Sequence, residues 1–146
     1  MDIRRIHQLV ESRVLETDSL FAESAFIEIL IKLNHILQLA ATNGKRIQFT
    51  DDVIAQDEVK DVTDLVSKLR NAACHISSNT RKIDTNSFVF NRFVGHVPNG
   101  IRMGDITMGC DYADDAAFYY GPHRIYLNRH IKRVIRDLAT SYGLTS

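Results

Sequence analysis

Asp61-Val62-Thr63-Asp64-Leu65-Val66-Ser67-Lys68-Leu69-Arg70-Asn71-Ala72-Ala73-Cys74-His75-Ile76 is the stretch on which the reading of the fold turns. Val62, Leu65, Val66, Leu69, Ala72, Ala73 and Ile76 recur at helical spacing. At about 100° per residue they fall on one stripe, which predicts an amphipathic helix with that stripe toward a core. Arg70 then lies roughly 100° to one side of the stripe and His75 roughly 120° to the other, with Asn71 nearly opposite it. Asp64, Ser67, Lys68 and Ser78 share the outer face. One protomer cannot bury such a face in its own core, so it is either solvated or meets a partner.

An arginine, an amide and an imidazole are also the groups that RNA cleavage uses. An imidazole with a near-neutral pKa can take the proton from a ribose 2′-OH. A guanidinium can hold a phosphate and stabilise the charge that develops on its oxygens. An amide can orient the arginine, and no metal or other cofactor is needed. A single helix spreads Arg70 and His75 too widely to converge on one phosphate. A two-fold dimer packed through this face would bring two sets together, so the chemistry predicts a homodimer.

Arg70-Asn71-x-x-x-His75 resembles the R-x4-6-H motif of HEPN domains. In that family the residue after the arginine is usually polar, and Asn71 fits. The resemblance implies a helical bundle, commonly dimeric, with the motif at the dimer interface. It also implies a metal-independent endoribonuclease acting as a toxin or in antiphage defence, with RNA as substrate and an antitoxin as a further partner. Other members are non-catalytic dimerisation or nucleotide-binding modules, which is the alternative reading. In one toxin branch a tyrosine two residues after the histidine is modified by a nucleotidyltransferase antitoxin. Ser77 stands there in this chain, so the resemblance carries cleavage but not that mode of control.

The 146 residues suit one domain with a sizeable core. Lys plus Arg and Asp plus Glu both number 18, giving zero formal charge. Affinity for nucleic acid must therefore come from a local patch. Cys74 and Cys110 form no C-x-x-C pair and read as reduced thiols of a cytoplasmic protein. The N-terminus, Met1 to Arg5, leads into an amphipathic pattern and not a signal core. No uninterrupted apolar run approaches the ~20 residues that span a bilayer.

In chain order, Asp2 to Glu16 predicts a first helix capped by Asp2, with Ile3, Ile6, Val10 and Val14 on one face. Asp18 or Ser19 opens a second helix to Thr42, stopped by Asn43-Gly44. It is apolar almost all round, so it is central or covered on a second side by a subunit. His35 within it reads as a hydrogen-bonded core or interface histidine. The acidic run from Asp51 to Asp61 suits helix starts, and a short helix is expected near Asp52–Val59. The helix of the opening stretch should fade near Ser77-Ser78-Asn79, a run of poor helix formers.

Ser87 to Val94 reads as a strand and Gly95 to Gly104 as a loop. Ala116–Tyr120 and Arg124–Leu127 flank Gly121-Pro122-His123 as a β-hairpin. Asn128 caps a last helix to Tyr142, ended by Gly143, with Ile131, Val134, Ile135 and Leu138 buried. The expected architecture is a mainly α, antiparallel helical bundle spanning 1–146. A hairpin-bearing insert at 87–127 precedes the last helix.

The turn and helix near the C-terminus carry a basic cluster: His123, Arg124, Arg129, His130, Lys132, Arg133 and Arg136. It reads either as a solvated face or as a phosphate track, with Arg124, Arg129, His130 and Arg133 as candidate substrate-binding residues. His130 is also a candidate second active-site histidine. Asp111, Asp114, Asp115, His123 and His130 match no metal-site spacing, so no metal is assigned. Tyr112, Tyr119, Tyr120 and Tyr126 suit either hairpin packing or stacking on bases. No phosphate-loop, dinucleotide-binding or G-x-S-x-G motif occurs.

Overall fold

Helices build the N-terminal half, strands and a last helix build the C-terminal half, and the two halves meet in one core. The computed structural model describes residues 3–17, 20–78, 90–103 and 105–143, with the backbone alone at 75–78 and 103. Helix α1 (Ile3–Glu11) and a 3-10 turn (Val14–Glu16) lead to α2 (Ala22–Thr42) and α3 (Val62–Ser78). Five strands follow: β1 (Phe90–Val94), β2 (Val97–Met103), β3 (Ile106–Cys110), β4 (Ala116–Tyr120) and β5 (His123–Tyr126). The last helix starts as a π-helical stretch (Leu127–Lys132) and continues as α4 (Arg133–Ser141).

This corrects the expectation of a mainly α bundle with an appended hairpin. The chain is α plus β, with an antiparallel sheet ordered β1-β4-β5 and a separate ribbon of β2 and β3. The sheet is part of the core. Every residue of β4 is buried, because its two faces serve different neighbours. Ala116, Phe118 and Tyr120 join the helical core, where the Phe26 ring of α2 stacks on Phe118 at 5.0 Å and on Tyr120 at 5.9 Å. Ala117 and Tyr119 face the other way, toward Phe93, Met108, Cys110 and Tyr126. A strand buried on both faces loses the apolar–polar alternation that marks a sheet open to water.

Other boundaries also move. The first helix ends at Glu11, where Arg13 turns left-handed at φ 62°, and Val14–Glu16 is a 3-10 turn. No helix forms at Asp52–Val59; Asp52, Asp57 and Glu58 all have positive φ, which breaks helical geometry. The expected 95–104 loop contains β2, paired with β3 through a register shift between Val97 and Ile101. Gly109 stands where a Cβ would collide with the Val97 carbonyl, and the Tyr119 hydroxyl bonds both its N–H and its carbonyl. The expected start of α2 at Asp18 or Ser19, the cap at Asp2 and the strand start at Ser87 lie outside the described residues.

Asn128 does not cap the last helix; Asp115 does, from the loop before β4. Its carboxylate accepts the N–H groups of Asn128 (2.8 Å) and Arg129 (3.1 Å), and also that of Ala116 (2.8 Å). The Asn128 side chain donates instead to the Asp114 carbonyl. Helix α2 is also long and apolar enough by length and composition to cross a bilayer, with mean hydropathy 1.3. Glu28, Lys32 and His35 interrupt its apolar run, which hid this in the sequence. In this fold it is the central helix, packed on α1, α3 and the sheet. Its outer side is not fully covered. Ile31 and Leu39 are exposed on either side of an exposed His35, so His35 is no core histidine.

Candidate functional site

The start of α3 is held firmly. Arg46 makes a bidentate pair with Asp61 (2.9 and 3.0 Å) and reaches Asp64 at 2.9 Å. Asp61 caps the helix by accepting the Asp64 N–H at 2.9 Å. The buried Thr63 hydroxyl donates to the Ile47 carbonyl. Carboxylates at this end also complement the amide dipoles. Leu65, Val66, Leu69, Ala72 and Ala73 then bury the predicted stripe.

Arg70 emerges half-buried beside the stripe, and Asn71 is exposed. Arg70 Nη1 donates to Asn71 Oδ1 at 3.3 Å, so the structure brings these two together. His75 lies within α3, and its side chain is outside the described residues. Five residues of α-helix separate position 75 from position 70 by about 7.5 Å of rise and about 140° of turn. Cys74, next to it, is half-buried. Under α3, the Tyr120 phenol donates to Glu23 at 2.9 Å, and burial, then that carboxylate, push its pKa up.

Within the basic cluster Arg124, Arg129 and Arg133 are engaged by the fold, while Arg136 is exposed. Arg124 donates to the Asp52 carbonyl (3.0 Å), lies 3.7 Å from the Asp111 carboxylate and stacks over Tyr126. Arg129 binds Asp114 (3.0 Å) and Asp115 (3.1 Å) above the Tyr112 ring. Arg133 binds Asp51 (2.9 Å) above Phe49. These partners have a reciprocal effect: the Arg129 hydrogen bond holds the Asp114 carboxyl below its usual value, and Arg133 does the same for Asp51.

His130 is fully buried, with Nδ1 accepting the Tyr126 N–H (2.8 Å) and Nε2 facing the Asp51 carbonyl (2.9 Å). That arrangement requires the neutral Nε2–H tautomer, and burial lowers its pKa accordingly. With both nitrogens engaged, it holds structure and is not presented to a substrate. Tyr119, Tyr120 and Tyr126 are buried as core residues, and burial pushes the Tyr126 phenol up to about 12. Tyr112 donates to Asp52 at 2.7 Å beneath Arg129. Among the described residues no three His, Cys, Asp or Glu side chains converge as a metal site needs.

Sequence reasoning missed how the acidic run is used. Asp51, Asp52 and Asp57 meet Arg133, Arg124 and His123 across some seventy residues of chain, and local charge patterning carries no signal of that. No family model matches the chain, and no curated protein or solved structure matches it either.

Proposed function

We propose that the chain is a metal-independent endoribonuclease that works as a homodimer, with Arg70, Asn71 and His75 of two protomers at the two-fold. The observation that carries this reading is the state of Arg70. Arg46, Arg124, Arg129 and Arg133 are each bound to carboxylates or carbonyls of the fold. Among the described residues the polar partner of Arg70 is the neutral Asn71, so its charge is left for an incoming anion. The helix that carries it is fixed at its start and buried along its inner stripe, which suits a preorganised phosphate-binding group.

In the proposed step one His75 imidazole takes the proton of a ribose 2′-OH. The 2′-oxygen attacks phosphorus, the bond to the 5′-oxygen breaks, and an imidazolium returns a proton to that oxygen. Arg70, oriented by Asn71, stabilises the charge on the non-bridging oxygens. A toxin or defence role in the cytoplasm, with an antitoxin partner, belongs to the same reading. End-group analysis of fragments tests the chemistry. A 2′,3′-cyclic phosphate, or its hydrolysis product, with a 5′-OH is expected. Fragments with 3′-OH and 5′-phosphate ends would rule the mechanism out.

A second reading has its own observation. Ile31 and Leu39 lie one turn either side of His35 on the outer face of α2, and all three are exposed. Such a line suits a non-catalytic dimerisation or nucleotide-binding module within a larger assembly. Saturable nucleotide binding without any RNA cleavage would favour it.

A further inference from the structure

We propose that residues 51–58 form an acid-released strap, latched by the two buried histidines His123 and His130 over the start of the last helix. The segment buries none of its residues fully, and Val53 is its one side chain packed against the hydrophobic core. Hydrogen bonds hold it as well. The Asp51 carbonyl meets His130 Nε2 and its carboxylate meets Arg133; Asp52 meets Tyr112 and Arg124. Gln56 donates to the Pro122 carbonyl at 3.0 Å, and the Asp57 carboxylate lies 3.6 Å from His123 Nε2. Three of its residues, Asp52, Asp57 and Glu58, sit at positive φ without being glycine. Such backbone persists only where its surroundings over-determine it. A segment held this way opens at lower free energy than the core around it.

The His130 latch is built for neutral imidazole, and at His123 burial of the ring opposes the charge that Asp57 favours. A proton on His130 Nδ1 would face the Tyr126 N–H that now donates to it. Nδ1 of His123 is buried with no partner, so a proton there would find no acceptor. The charges around each ring are mixed. His130 faces Arg124 of β5, Asp52 of the strap and Asp115 of the loop before β4; His123 faces Asp57 of the strap and Lys68 of α3. Burial outweighs the acidic neighbours at both sites and lowers both pKa values. The latch therefore keeps its full strength above the ordinary imidazole value of about 6.5 and loses it as pH falls through the lowered values. Release would also free Arg124 and Arg133 from Asp52 and Asp51.

Amide hydrogen exchange on the full chain, corrected for the intrinsic rate, tests this at the N–H groups of Val53, Val59 and Tyr126. The first two close the turns at the two ends of the strap, Val53 donating to the Thr50 carbonyl and Val59 to that of Gln56, and the third bonds the His130 ring. Imidazole titration by NMR on the same sample gives the histidine midpoints without a substitution. Protection at these three amides should fall at least tenfold between pH 7.5 and 5.0. The midpoint should follow the His130 or His123 ring, while α2 amides keep their protection. Protection that is independent of pH overturns the proposal. So does loss that coincides with α2, or a midpoint that follows neither ring.

Discussion

At the scale of single residues, what separates Arg70 from the other arginines of the candidate set is its partner. A guanidinium bound to an amide keeps its charge for a ligand, whereas Arg129, between Asp114 and Asp115, is already neutralised. Arg70→Ala should lower cleavage by roughly 10²–10³-fold, the usual cost of removing one charge-stabilising donor. Arg70→Lys should recover little of it, because a point charge does not reproduce the planar fork. A comparison of kcat for the three proteins checks both.

Asp115 is the residue whose role the sequence concealed. Its carboxylate satisfies three backbone N–H groups and Arg129 from a site with no exposed side-chain surface. Asp115→Ala leaves those donors unpaired, and a loss of about 3 kcal/mol in urea unfolding is expected. Asn128, standing just before the apolar periodicity, looks like the cap on local grounds alone. The cap comes instead from thirteen positions upstream, and only the tertiary arrangement reveals it.

Among the elements, α3 was the most legible, because seven apolar residues at a 3.6-residue period leave one solution. The β4–β5 hairpin was legible too, from Gly121-Pro122 between two strand-like runs, but its second strand is shifted by one residue: His123 pairs with Tyr120 and opens β5 instead of standing in the turn, and β5 ends at Tyr126. The rest of the sheet was not. In β2, Pro98 and Gly100 read as loop punctuation, yet the ribbon accommodates both through its register shift. Gly109 is the position where close approach of Val97 admits no side chain. Gly109→Ala should therefore displace the ribbon. Loss of the long-range NMR contacts between Val97 and Cys110 is the expected sign.

The status of the sheet is itself testable. In an appended hairpin, truncating one aromatic would hardly change global stability. Phe118 is instead fully buried between Phe26 and the rest of the aromatic cluster. Phe118→Ala should cost about 3–5 kcal/mol in chemical denaturation, as for other buried phenylalanines.

For the whole molecule, zero formal charge makes the proposed RNA binding a matter of local geometry rather than of the overall field. The candidate site was legible as a residue pattern, and Arg70 and Asn71 do lie together on an accessible face of α3. The basic cluster was legible only as composition. The sequence shows where its cations stand, but not that Asp51, Asp52, Asp114 and Asp115 fold back to meet them. In the proposed homodimer each active site takes Arg70 from one protomer and His75 from the other. Mixing Arg70→Ala with His75→Ala protein should then restore about a quarter of wild-type cleavage, because half the dimers are mixed and each has one intact site of two. No recovery is expected if each motif acts within its own chain.

The measurement that bears most directly on the central claim is RNA cleavage by the purified protein in excess EDTA, wild type beside His75→Ala. The account predicts cleavage that persists in EDTA and falls by roughly 10²–10⁴-fold in the variant, the usual contribution of a general acid or base. Cleavage undiminished in His75→Ala, or absent from the wild type across tRNA, mRNA and total RNA, would contradict it.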